Sequence, residues 1–95
     1  MNYDDFKCSV KQENVPENLD GIKLALWYAA KGNWEKAHSI TQDIDTETAS
    51  WVHAYLHREE GDIGNAHYWY RRSNREPCSD PLKVELDNIL KTVFL

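Results

Sequence analysis

Two histidines and a glutamate are the sharpest chemical candidate in this sequence. His53, His57 and Glu60 fall at i, i+4 and i+7, a spacing that gathers all three on one helix face at about 100° per residue. Two imidazoles one turn apart can share a metal ion, and a carboxylate can serve as third ligand. The HExxH pattern of metalloproteases is absent, because position 54 is Ala. No fourth ligand is evident, and the competing role is packing or hydrogen bonding between helices. No metal or cofactor is therefore assigned.

A second group is cationic. Tyr68, Arg71, Arg72 and Arg75 share one arc of a later helix. Guanidinium forks suit bidentate contact with carboxylate or phosphate, so this arc could grip an acidic peptide or an anionic ligand. The plainer role is to complement the negative end of the helix dipole and keep that face solvated. Trp51, Tyr55 and Arg58 offer a further candidate recognition surface, on the helix that carries the histidines.

Nucleophilic catalysis finds no support. Ser9, Ser39, Ser50, Ser73 and Ser79 sit in no nucleophile-elbow context, and neither Cys8 nor Cys78 has a histidine near it in sequence. Carboxylate neighbours such as Glu59–Glu60, Asp43–Asp45 and Asp4–Asp5 read as solvated charge. Gly61 and Gly64 punctuate helices and do not build a phosphate loop. A non-enzyme is expected.

The bulk numbers agree. Ninety-five residues make one small domain, near the low end of what can bury an adequate core. Four Trp, five Tyr and two Phe offset that by burying large areas each. A net charge of −5 argues against a phosphate-backbone binder, so nucleic acid is disfavoured as a partner. The two cysteines lack metal-knuckle spacing and are expected as reduced thiols. The polar first residues are not a signal peptide and no run reaches about 18 apolar residues, so no membrane span is expected and a cytoplasmic location is.

The elements that must position these groups are helices. Leu19–Lys31 is apolar almost all round, with Ile22, Leu24, Ala25, Leu26, Trp27 and Tyr28 interrupted only by lysines. Such a helix must be packed on several sides. Asn14, Pro16 and Glu17 look like its start and Gly32 its stop. Asn33 caps a second helix from Trp34 to about residue 43, with Trp34, Ala37, Ile40, Thr41 and Ile44 on one face. Asp45 or Thr46 caps a third, ending at Gly61. Asp62 caps a fourth, with Ile63, Ala66, Trp69, Tyr70 and Ser73 inward, stopped before Pro77. Asp80–Pro81 opens a fifth, striped by Leu82, Leu86, Ile89, Leu90 and Val93. Residues 1–15 read as a partly ordered arm, and residues 16–95 as a single helical domain. No strand is expected.

Sliding the chain by 29 residues places Ala25 on Ala54, Gly32 on Gly61, Asn33 on Asp62, Ala37 on Ala66 and His38 on His67. The sequence resembles the tetratricopeptide repeat family in the series Ala25, Tyr28, Gly32, Trp34, Ala37 and again in Ala54, His57, Gly61, Ile63, Ala66, Tyr70. It departs from that family in its shorter period and in its polar His53 and His57, which occupy the slots of Leu24 and Tyr28. The segment WVHAYLHREEGDIGNAHYWYRR is also similar to one in small bacterial proteins of no assigned function. The resemblance implies two antiparallel helical hairpins and a C-terminal capping helix, an all-α fold. It further implies a scaffold that binds a protein or peptide partner, with its exposed end covered by that partner or by a second copy.

Overall fold

The computed structural model describes residues 1–95, and they form helices joined by short links, with no strand. In chain order these are α1 Tyr3–Val10, α2 Gly21–Ala30, α3 Trp34–Thr41, α4 Glu47–Glu59, α5 Ile63–Arg72 and α6 Leu82–Val93. No helix is long and apolar enough to cross a membrane. Cys8 and Cys78 are free thiols.

The helix ends follow local chemistry. Asn2, Asn33, Thr46 and Asp62 each accept a hydrogen bond from the backbone N–H three residues on, which satisfies one of the orphan donors of a first turn. The α2–α3 and α4–α5 joints, 29 residues apart in sequence, share one geometry. Gly32 and Gly61 take φ +83° and +88°. The Asn33 N–H then reaches back to the Tyr28 carbonyl and the Asp62 N–H to that of His57, both at 2.9 Å. This is the Schellman closure, which a side chain at the positive-φ position would strain.

Packing is densest between sequence neighbours, α2 on α3 and α4 on α5. α2 also meets α1, α4 and α6, so its apolar circumference is covered on several sides. The most enclosed helix is nevertheless α4. Every residue from Ala49 to His57 is buried, among α2, α3, α5 and α6. Its histidines hide this from a hydrophobicity count, because they are buried with partners rather than by being apolar.

Two boundaries and one buried position differ from the sequence reading. Residues 3–10, expected within a loose arm, form α1, whose Phe6 is fully buried and meets Phe94, the residue that caps α6, in a tilted ring contact at 4.7 Å. Pro16 begins a turn closed by Leu19 N–H, and α2 starts only at Gly21. Ala66, Tyr70 and Ser73 are buried as expected, but Ile63, expected inward with them, is 50% exposed, because it is the first residue of α5 and lies at the open end of that helix.

Candidate functional site

The histidine face of α4 meets α3. His53 and His57 are buried, which settles that they face a neighbouring helix, as the Leu24 and Tyr28 slots would require. The residue they meet is His38, one turn beyond Trp34 on α3. His38 Nε2 and His53 Nε2 lie 3.0 Å apart, a hydrogen bond that needs complementary tautomers in two neutral rings. His57 stacks on His53 at 4.9 Å and meets His38 edge-on at 5.2 Å. Its Nδ1 bonds Glu60 Oε1 at 2.7 Å. Glu60 therefore orients His57 from the last turn and stands outside the trio. One nitrogen from each of the three imidazoles falls within 4.8 Å of the others.

Two indoles wall the cluster. Trp34 stacks on His38 at 4.7 Å and Trp69 of α5 on His53 at 3.8 Å. Trp34 is itself fixed by donating Nε1–H to the Leu56 carbonyl at 2.7 Å. Burial, then the neighbouring His38 and His57, pull the pKa of His53 from its usual 6.5 down to about 4. Burial and then His57 lower His38 too, against the opposing pull of Glu60. These two rings are thus neutral at pH 7.

A second polar centre lies on the other side of α4. Glu85 of α6 is 1% exposed. Its Oε1 accepts from Arg58 Nη1 at 2.9 Å, and its Oε2 accepts from Tyr70 OH at 2.6 Å and Trp51 Nε1 at 3.2 Å. Arg58 also donates to the Asp80 carbonyl. Trp51, Tyr55 and Arg58 are thereby committed to the interior: Trp51 and Tyr55 are buried and Arg58 is half-buried in its ion pair. They do not form an open recognition surface, because α6 closes over that side of α4.

The arginine arc divides in two. Arg75 Cζ lies over Trp51, 3.5 Å from the ring centroid, and both line a pocket of about 420 Å³ with Glu76 and Asn88. Arg72 donates to Tyr68 OH at 3.1 Å and lies 5.2 Å from the Trp69 ring. Its other contact, Asp45 at 3.8 Å, is between exposed groups and is worth little. Arg71 and Tyr68 are exposed.

His38, Glu85 and Tyr70 are what sequence reasoning missed as members of these centres. The available signal for His38 was its i, i+4 spacing from Trp34, a match to His53–His57 on the facing helix. Glu85 interrupted an otherwise apolar stripe on α6. Neither meets its partners until the helices are packed, and no known family, curated protein or solved structure matches the chain.

Proposed function

We propose that this chain is a non-enzymatic helical interaction module that docks an acidic protein segment on the outer face of α5. The observation that carries this reading is an uncovered helix face of the right chemistry. α5 packs on α4 and on no other helix to comparable extent. Its outer side carries Tyr68, 44% exposed, beside Arg71 and Arg72, both also exposed. An amphipathic ring and two guanidinium groups are among the side chains that anchor interfaces. In a chain of net charge −5 such a cationic face draws partners of opposite sign.

The test is fluorescence anisotropy with labelled acidic, neutral and basic peptides of equal length. Acidic peptides carrying an apolar residue are expected to bind best, with affinity falling as salt rises. Arg71→Glu with Arg72→Glu should weaken binding by tenfold or more, the scale of two lost charge contacts. Equal binding of all three peptide classes, or an unchanged affinity in the double variant, defeats the reading. A dimer in sedimentation that the double variant abolishes would assign the face to a second copy instead.

A further inference from the structure

The histidine cluster has more order than packing requires. His38 Nε2 and His53 Nε2 are 3.0 Å apart, and two nitrogens bonded at about 2.0–2.1 Å to one tetrahedral ion lie about 3.3 Å apart. The pair already stands at chelating distance, on two different helices. The third imidazole, His57, brings a nitrogen within 4.8 Å of both. Because Glu60 holds His57 Nδ1, Nε2 is the atom left to face an ion. A carboxylate on the far nitrogen is the usual outer partner of a metal-bound imidazole, fixing its tautomer and raising its basicity. Trp34 and Trp69 clamp the planes of the other two rings.

We propose that His38, His53 and His57 form a three-imidazole site for a divalent transition ion of the zinc class, with Glu60 as the positioning residue. The donor set decides the class. It has no thiolate, which copper(I) prefers, and no cage of oxygens, which magnesium and calcium require. Three nitrogens on Zn²⁺ leave a fourth position for water or a small ligand. The ion would bridge α3 to α4. This site is separate from the α5 face, and either proposal can fail alone.

The experiment uses the full chain without a histidine tag, stripped by chelator and titrated with Zn²⁺ against a chromophoric competitor. One ion per chain is expected, with a dissociation constant at or below micromolar and a rise in melting temperature. Co²⁺ as a spectroscopic probe should show the intense visible bands of four-coordination. His38→Gln and His57→Gln should each weaken Zn²⁺ binding more than a hundredfold, and Glu60→Gln about tenfold. His67→Gln, on the exposed side of α5, should change nothing. Since His53→Gln risks unfolding the core, the half-buried His38 and the wild-type Co²⁺ spectrum carry the decision. No saturable Zn²⁺ binding by folded wild type, or binding that survives His38→Gln, overturns the proposal.

Discussion

Glu85 is a buried carboxylate that faces one charge, Arg58, and two neutral donors, Tyr70 and Trp51. Removing a partner from such a group leaves an ion in low dielectric with too little around it. Arg58→Leu should therefore cost about 3–5 kcal/mol, whereas Arg58→Leu combined with Glu85→Leu should recover much of that loss. Urea unfolding of the three proteins reads the difference directly. His53 makes an opposite kind of demand. In the folded chain its pKa sits at about 4, below the usual 6.5, so the unfolded chain takes up the proton first. The stability it contributes is whole above pH 6.5 and is lost as pH falls toward 4, by at most about 3 kcal/mol. The groups facing it are His38 and His57, with Glu60 behind. In chelator, the melting temperature should drop over that window in wild type and much less in His53→Asn; equal slopes would refute the assignment.

At the scale of the helix, two glycine joints do equivalent work. Gly61 has open space where a Cβ would go, so the cost of Gly61→Ala is backbone strain alone. About 1–2 kcal/mol is expected from the positive φ, and the same from Gly32→Ala; chemical denaturation that finds either neutral would show the joint can relax. These joints, and the caps at Asn33 and Asp62, were legible in the sequence because each is decided within five or six residues, and Thr46 takes the cap that the sequence left between Asp45 and Thr46. The same locality explains what was not. α1 was read as a loose arm because a short helix around Phe6 gains its stability from Phe94, which nothing nearby announces. α2 is the more apolar helix, yet α4 is the more enclosed, since its histidines are buried with partners. His38 and His53 lie 15 residues apart, and Glu85 lies 27 from Arg58 and 34 from Trp51. Meetings at that distance are settled by how helices lie on one another, which helical periodicity does not specify.

At the scale of the molecule, the charge is unevenly spent. Lys31 donates to the carbonyls of Val10 and Gln12 at the end of α1, and Arg58 is drawn into the interior. The arginines of α5 are left outward in an otherwise acidic chain, which is why added salt should loosen partner binding while leaving the buried pairs largely alone. The first and last helices also clasp. Tyr3 OH donates to Asp87, a separation of 84 residues, and Phe6 rests on Phe94. During synthesis, Phe6 and the polar groups of Trp51, Arg58 and Tyr70 emerge long before the segment that covers them is made. The nascent polypeptide thus stays greasy and incompletely bonded at these points until α6 has left the ribosome, and only then can they lock.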